Sequence, residues 1–213
     1  MNTDQLIDSL AGDVAPVSRH SVGRRLALGV AAGAVISLLV TAFVIGVRPD
    51  IGTAVFQFSF WMKWGYTASI SVAAIYATAR LARPDPGNLR RLWLLALPIG
   101  LLLLVGIDEL VRTPPGEWLA MWLGHSWKRC PWLVLILSAP IFIGLLWSFR
   151  RLAPTRLRAA GAAAGLAAGA FAATVYCLHC GEVSAIFVLT WYSLGILLAA
   201  SIGALIGPRL LRW

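Results

Sequence analysis

The stretch LALGVAAGAVISLLVTAFVIGV, residues 26–47, decides the class of fold. It contains no charged side chain, and a helix of about 20 apolar residues is long enough to cross the hydrocarbon core of a bilayer. A continuous run rich in Leu, Ala and Gly indicates a helix, because the strands of a membrane barrel alternate apolar and polar residues. No small-residue cleavage site follows the run, so we expect a membrane span and not a cleavable signal peptide.

Similar apolar runs recur along the chain of 213 residues, which is 59% hydrophobic and only 13% charged. A soluble domain would carry about a quarter charged residues. We therefore predict an all-α, polytopic membrane protein, a bundle of six transmembrane helices. The predicted spans lie near residues 26–47, 60–79, 90–107, 132–149, 157–176 and 185–207. The chain thus divides into a short N-terminal segment, 1–25, and a transmembrane domain, 26–213. No ionisable residue falls near the middle of a span, which disfavours a proton-coupled transporter.

The distribution of Lys and Arg between the loops predicts the orientation of the bundle. One side of the membrane carries Arg19, Arg24, Arg25, Arg80, Arg83, Arg90, Arg91, Arg150, Arg151, Arg156, Arg158, Arg209 and Arg212. The other side carries only Arg48, Lys63, Arg112, Lys128 and Arg129. Because cytoplasmic loops are the richer in Lys and Arg, both termini should lie in the cytoplasm. The net charge of +9 is then a topology signal and does not point to nucleic acid.

Small residues recur at the spacing that lets membrane helices approach closely. GxxxG spacings occur at Gly29 and Gly33, at Gly161, Gly165 and Gly169, and at Gly203 and Gly207. Such faces pack backbone against backbone where no hydrophobic force drives association. We expect them to hold the bundle together within one chain and not to form a dimer face.

The stretch YCLHCGE, residues 176–182, concentrates the reactive side chains. Cys177, His179 and Cys180 lie within four residues of one another, and Cys130 is the third cysteine of the chain. The predicted orientation puts all three thiols outside the cytoplasm, where disulfides can persist. Thiolates and imidazole together suit zinc, cadmium or copper(I). The candidate metal ligands are therefore Cys130, Cys177, His179 and Cys180, with His125 as a weaker one.

The same residues allow other roles. The C-x-x-C spacing of Cys177 and Cys180 is typical of thiol–disulfide exchange, and a histidine between two thiols would lower a thiol pKa. A structural disulfide from Cys130 to one of the pair would tie the third loop to the end of the fifth span. Three thiols in an oxidising compartment leave one over. A sensing or redox role, a structural disulfide and unpaired thiols all remain open at this point.

The N-terminal stretch NTDQLIDSLAGD, residues 2–13, predicts a short amphipathic helix. Asn2 with Gln5 forms a capping-box arrangement, and Gly12 can end the helix. The predicted partner-binding residues are an apolar face and its acidic flank, Asp4, Leu6, Ile7, Asp8 and Leu10. Such a face binds in a partner's groove or lies on a membrane. Membrane-surface helices favour Lys and Arg, so the acidic flank favours a protein partner with a basic surface.

Four stretches that are spread along nearly the whole chain, from residue 2 to residue 196, resemble the NrsF-type anti-sigma factors, six-span inner-membrane regulators of extracytoplasmic-function sigma factors in proteobacteria. They are NTDQLIDSLAGDVAPV, GHSWKRCPWLVLILSAP, RRLAPTRLRAAGAAAGLAAGAFAATVY and LHCGEVSAIFVLTWYSLGI, in the order found in the family. The resemblance implies a membrane-bound anti-sigma factor without catalysis and without a resident cofactor, apart from transient binding of a heavy metal. It also implies that the N-terminal segment holds the sigma factor.

The resemblance further implies that two extracytoplasmic cysteines, matching Cys130 and Cys180, release the sigma factor under heavy-metal or oxidative stress. The chain departs from the family pattern His-Cys-Pro-Glu in having Gly181 for the proline, and Cys177 is an additional thiol. The alternative hypothesis is an enzyme, a membrane thiol–disulfide oxidoreductase that passes electrons from Cys177 and Cys180 to a quinone. Such enzymes usually carry a second cysteine pair, which three cysteines cannot complete. A passive channel is a third hypothesis, with little support.

Overall fold

A computed structural model of the chain describes residues 2–12, 21–84, 90–150 and 152–212. Within these ranges every regular element is helical, which confirms the all-α prediction for the part of the chain described. Arg19 and Arg151, two of the basic residues used to predict the orientation, lie outside the described residues, as do residues 13–20 of the N-terminal segment.

The helices follow one another in the order α1 (Thr3–Gly12), α2 (Ser21–Ile45), α3 (Ile51–Ala54), α4 (Phe58–Leu81), α5 (Ala96–Arg112), α6 (Trp118–Leu123), α7 (Cys130–Phe149), α8 (Leu157–Tyr176) and α9 (Ala185–Leu210). The last turn of α2, Thr41–Ile45, and a turn inside α9, Val188–Tyr192, are π-helical. A 3₁₀ segment, Arg90–Leu95, leads into α5.

Four helices in the described residues are long and apolar enough to cross a membrane. They are α2 with 25 residues, α7 and α8 with 20 each, and α9 with 26. They match the predicted spans near 26–47, 132–149, 157–176 and 185–207. By length and composition the chain is therefore a helical protein with several candidate membrane spans.

Helix length and composition do not confirm six spans, because α4 and α5 are not among the four. Helix α4 has 24 residues but carries Lys63 and Arg80 together with several hydroxyl groups. Helix α5 has only 17 residues, and its last turns contain Asp108, Glu109 and Arg112. The predicted third span, 90–107, also begins in the 3₁₀ segment, and its helix runs on to Arg112. Helix α4 is thus more polar than the four candidate spans, and α5 is shorter than they are and ends in charged residues.

Helix α8 lies at the centre of the bundle and contacts α4, α7 and α9. Most of its 20 residues are buried, nearly all of them Ala or Gly. A Cβ atom added at Gly161 would collide with the carbonyl of Gly203 on α9, and one at Gly165 with the carbonyl of Ala199. Helices α2 and α7 approach in the same way at Gly29 and Gly144. The GxxxG positions therefore pack within the chain, as predicted.

Candidate functional site at the cysteine loop

The loop between α8 and α9, residues 177–184, begins by folding back over the end of α8. The carbonyl of Tyr176 accepts hydrogen bonds from the backbone N–H groups of His179 (2.9 Å) and Cys180 (3.0 Å), and the N–H of Cys177 donates to Ala173 (3.1 Å). These bonds satisfy carbonyls that a helix end leaves without partners. We call residues 177–184 the cysteine loop.

The three thiols are buried beneath this loop and are unpaired. Cys130 is the first residue of α7, and its side chain and that of Cys177 are fully buried, while Cys180 is 3% exposed. The hydroxyl of Tyr176 lies beside the thiols of Cys130 and Cys180, and its ring packs 5.6 Å from the ring of Tyr192. The structure thus brings the three cysteines together, although Cys130 lies 50 positions before Cys180 in the sequence.

His179 does not join the thiols. Its Nδ1 atom lies 2.7 Å from the carbonyl oxygen of Gly46, so this nitrogen carries the proton and donates to the carbonyl. His125 lies with His179 in the wall of a cavity of 540 Å³ that also includes Lys128 and Arg129. Among the described residues no three His, Cys, Asp or Glu side chains form a group that could hold a metal ion. The predicted ligands are therefore close in space without forming a preorganised metal site there.

The cysteine loop is held from below by a buried lysine. Lys63 of α4 is fully buried, and its Nζ donates to the carbonyls of Cys180 (2.9 Å) and Glu182 (2.7 Å). A buried ammonium is costly unless it is hydrogen-bonded, and these two carbonyls take two of its three protons. The sequence predicts for Lys63 only a place among the few basic residues on the outer side of the membrane. The one available signal was a single cation inside an aromatic run, FWMKWGY.

The carboxylate of Glu182 joins the cysteine loop to the loop before α7. Its Oε1 accepts from the backbone N–H groups of His125 (2.8 Å) and Ser126 (3.0 Å) and from the Ser126 hydroxyl (3.0 Å). Ser126 Oγ in turn lies 3.9 Å from the thiol sulfur of Cys180. Gly124 permits this approach, because its φ is +54° and a Cβ atom there would collide with Glu182. One hypothesis from the sequence was that a disulfide joins these two loops. In the structure, hydrogen bonds hold them together.

Two further contacts fix α9 beneath these loops. Glu109 of α5 accepts from the Ser184 hydroxyl (3.0 Å) and from the backbone N–H of Ala185 (2.8 Å), so its carboxylate caps the N-terminus of α9. The indole nitrogen of Trp191 donates to the carbonyl of Trp122 (2.8 Å), and the two rings lie 5.3 Å apart. Neither contact is predictable from the sequence, because each joins residues far apart in the chain.

The cysteine loop is also bound to the end of α2, through two contacts that we call the clasp. The backbone N–H of Arg48 donates to the carbonyl of Leu178 (3.0 Å), and the His179 ring donates to the carbonyl of Gly46. Arg48 is held by two hydrogen bonds to Asp50, of 2.7 and 2.6 Å, which lower the pKa of the Asp50 carboxyl. The clasp directly follows the π-helical turn of α2, and such turns are frequent at functional sites.

Burial controls the chemistry of Cys177. It raises the pKa of this thiol to about 12, although the nearby Lys63 ammonium acts in the opposite direction. At pH 7 only about one such thiol in 10⁵ is ionised, and the thiolate is the nucleophile. The sequence-based expectation that the intervening histidine lowers a thiol pKa is not met at Cys177, because His179 faces Gly46.

The N-terminal helix α1 forms over Thr3–Gly12, where the sequence predicts it. The backbone N–H of Asn2 donates to Oε1 of Gln5 (3.2 Å), which is one half of a capping box. The predicted apolar face is open to solvent, with Leu6 41%, Ile7 57% and Leu10 62% exposed. The acidic flank, Asp4 and Asp8, is exposed as well. The predicted partner-binding side chains therefore lie together on an uncovered surface.

The fold and the site define a helical protein with several candidate membrane spans. Polar groups connect its loops at one end of the bundle, and an exposed amphipathic helix lies at its start. The chain belongs to the NrsF family, described as negative regulator of sigma F, whose sequence model matches residues 10–213. It is 40% identical over 215 residues to the anti-sigma-F factor NrsF of Caulobacter vibrioides and 39% identical over 216 residues to the probable anti-sigma-F factor NrsF of Azospira oryzae. Each comparison covers 100% of both chains. No solved structure matches the chain.

Membership of this family confirms the resemblance drawn from the sequence. The family consists of regulators and not of enzymes, so the prediction that the chain is not an enzyme is confirmed and the oxidoreductase alternative is set aside. The family match begins at residue 10, after Asp4, Leu6, Ile7 and Asp8, whereas both relatives align over the whole chain.

Proposed function

We propose that this protein is a membrane-bound anti-sigma factor that sequesters an extracytoplasmic-function sigma factor through its N-terminal segment, 1–25. It releases the sigma factor when extracytoplasmic cysteines react with a heavy metal or an oxidant. The relatives named as anti-sigma-F factors support the partner class. The observation that carries the proposal for this chain is the clasp, since it binds the cysteine loop to α2, the helix that the N-terminal segment precedes.

The exposed face of α1 supports the assignment of the sigma-binding site. Burying one aliphatic side chain contributes about 1.5–3 kcal/mol, so Leu6, Ile7 and Leu10 together can supply much of a moderate affinity. Asp4 and Asp8 border this face and suit a basic groove on the partner. An isolated helix of 10 residues is marginal in water. Binding to a partner would therefore stabilise the helix as well as cover its apolar face.

Six spans with both termini in the cytoplasm of a bacterial inner membrane form the proposed topology. Helices α4 and α5 support it, because Lys63 and Glu109 each contact the cysteine loop or the residue after it, on the proposed outer side. On the proposed inner side the hydroxyl of Thr155 donates to the carbonyl of Pro84 (3.1 Å), joining two basic loops. The two polar helices are then the second and third spans, packed against α8 and α9.

We propose that sensing disturbs the packing of the three buried cysteine side chains. Cys130 and Cys180 are the proposed sensor residues, with Cys177 as an auxiliary thiol, and all three side chains are buried. A soft metal binds thiolates and displaces their protons, and oxidation adds oxygen atoms or joins two sulfurs. Either change would shift Cys180, whose carbonyl is held by Lys63. No resident cofactor is proposed, and a metal would bind only transiently.

The signal would pass from the cysteine loop through the clasp to α2. Helices packed through small residues move as rigid bodies, and a local change of bonding can favour one of two arrangements. A coupling free energy of about 1–3 kcal/mol, typical between linked sites, changes occupancy by about 5- to 150-fold. A small displacement of α2 would therefore be enough to expose or withdraw the N-terminal segment.

Co-purification from detergent tests the proposal most directly. The full chain should retain a sigma factor, and a variant lacking residues 2–17 should lose it while still inserting in the membrane. The double variant Leu6→Asp, Leu10→Asp should also lose it. Its matched control is Gln5→Asp, Ser9→Asp, which adds the same charge to the polar side of α1 and should retain the partner. Sigma retention by the Leu6, Leu10 double variant would show that this face is not the binding site.

A further inference from the structure

A second cluster of charge lies at the other end of the bundle, where α2 begins and α7 ends. Arg24 and Arg25 belong to the first turns of α2, and Arg150 follows the last residue of α7. These three arginines, with Leu28 and Trp147, line a cavity of 410 Å³. We call this the arginine cavity.

The backbone around the arginine cavity is held in place by direct contacts between the two helices. The Ser148 hydroxyl donates to the carbonyl of Arg25 (2.9 Å) and to that of Gly144 (2.9 Å). A Cβ atom at Gly29 would collide with the carbonyl of Gly144, so no side chain separates the helices there. The guanidinium groups are therefore brought to one cavity by close packing of α2 against α7, and not by chance proximity of mobile loops.

The arginine cavity brings three positive charges together. Within the part of the chain that the structure describes, both ion pairs lie elsewhere, at Arg48 with Asp50 and at Arg112 with Asp108. Among the described residues, no acidic side chain lines the cavity. Three guanidinium groups around one space repel one another, and an anion placed between them would remove that repulsion and accept their hydrogen bonds. Arginine presents its donors in a planar fork that matches phosphate oxygens.

The remaining wall indicates which kind of anion fits. Leu28 and Trp147 are apolar and lie on the outside of the bundle, 57% and 59% exposed. Tryptophan is enriched where the membrane meets water. A soluble phosphate would leave these two side chains uncovered, whereas a phospholipid has a phosphate for the arginines and acyl chains for Leu28 and Trp147. Basic pockets between helices on the cytoplasmic side suit anionic headgroups.

We propose that the arginine cavity binds the headgroup of an anionic phospholipid, with Arg24, Arg25 and Arg150 on its phosphate and its acyl chains along Leu28 and Trp147. The proposal rests on the proposed topology, which puts this end of α2 at the cytoplasmic headgroups. The lipid would fix the base of α2 directly after the segment proposed to hold the sigma factor. Anionic lipid would then set the resting position from which the cysteine loop displaces α2.

Native mass spectrometry of the purified full chain tests the proposal by counting bound lipid. The probes are phosphatidylglycerol and phosphatidylcholine, which share their acyl chains and differ in charge. The cavity variant is Arg24→Gln, Arg25→Gln, Arg150→Gln. The matched control is Arg156→Gln, Arg158→Gln, Arg209→Gln, which removes the same charge from exposed arginines on the same face outside the cavity. Each juxtamembrane arginine contributes about fivefold to binding, so the cavity variant should bind phosphatidylglycerol at least about tenfold more weakly.

The expected result is a preference of the native chain for phosphatidylglycerol that the control retains and the cavity variant loses. Where the triple variant fails to insert, the single variants Arg25→Gln and Arg150→Gln should each lose about fivefold. An equal loss in cavity variant and control would overturn the proposal, because general surface charge would then explain binding. Displacement of the lipid by inorganic phosphate would also overturn it in favour of a free-phosphate site. Sigma-factor retention is scored on the same preparations, so a failure of the proposed function appears there and not in the lipid count.

Discussion

Replacing His179 by alanine tests whether the clasp carries the signal. The substitution removes the ring that donates to the Gly46 carbonyl and leaves the hydrogen bond between Arg48 and Leu178 in place. One neutral hydrogen bond contributes about 0.5–1.5 kcal/mol net, which corresponds to a factor of about 2–12. This is a large part of the coupling expected between linked sites. The variant should therefore hold the sigma factor but respond to stress about 2- to 12-fold less.

The assay is a sigma-dependent reporter in living cells, read with and without cadmium or an oxidant. The matched control is His125→Ala, because His125 lines the same outer cavity but contacts Glu182 only through its backbone N–H. The control should respond like the native chain. Co-purification of the sigma factor with both variants checks that binding at rest is unchanged. Full induction in His179→Ala, at the level of His125→Ala, would refute transmission through this contact.

Four further predictions concern the thiols, the topology and the packing. Cys130→Ser with Cys180→Ser should retain the sigma factor and lose the response to cadmium, whereas Cys177→Ser should respond nearly normally; unchanged induction in the double variant would end the sensing proposal. Reporter fusions should show cytoplasm after Pro16, Asp85 and Pro154 and the outside after Pro49, Pro115 and Glu182, and an outside readout at Asp85 would contradict six spans. Burial raises the pKa of Cys177 to about 12. In the Cys130→Ser, Cys180→Ser background, the rate at which Cys177 is alkylated should therefore be slow at pH 7 and rise about tenfold per pH unit. The unfolded thiol loses its proton near pH 8.5, so the free energy of unfolding should fall from about pH 8.5 to about pH 12. Gly161→Leu should lower the melting temperature in detergent, since its side chain would meet the Gly203 backbone, while Gly181→Leu, with open space around it, should not.

Much of the architecture follows from stretches of consecutive residues. The apolar run 26–47 predicts α2, and α7, α8 and α9 follow from runs of the same kind, because crossing a bilayer requires an unbroken apolar length. The capping pattern of Asn2 and Gln5 predicts α1, since an N-cap bond joins residues three apart. The GxxxG spacing likewise predicts close helix packing, because one turn of helix brings such residues onto one face.

The hydrogen bonds that hold the cysteine loop depend instead on tertiary structure. Glu182 meets the backbone of His125 across 57 positions, and Lys63 meets the carbonyl of Cys180 across 117. Nothing in the local pattern around either residue determines these contacts, because they arise only when α4, α7 and α8 pack around a common centre. The clasp is similar, since it joins Gly46 to His179 across 133 positions.

The sequence by itself therefore determined which segments are helical and apolar, that the cysteines cluster near one end, and to which family the chain belongs. Tertiary structure decided that the thiols are buried, that His179 turns away from them towards Gly46, and that Lys63 is an internal hydrogen-bond donor. The physical reason is range: helix formation and bilayer crossing depend on neighbouring residues, whereas burial and hydrogen-bond partners depend on which distant helix occupies the adjacent space.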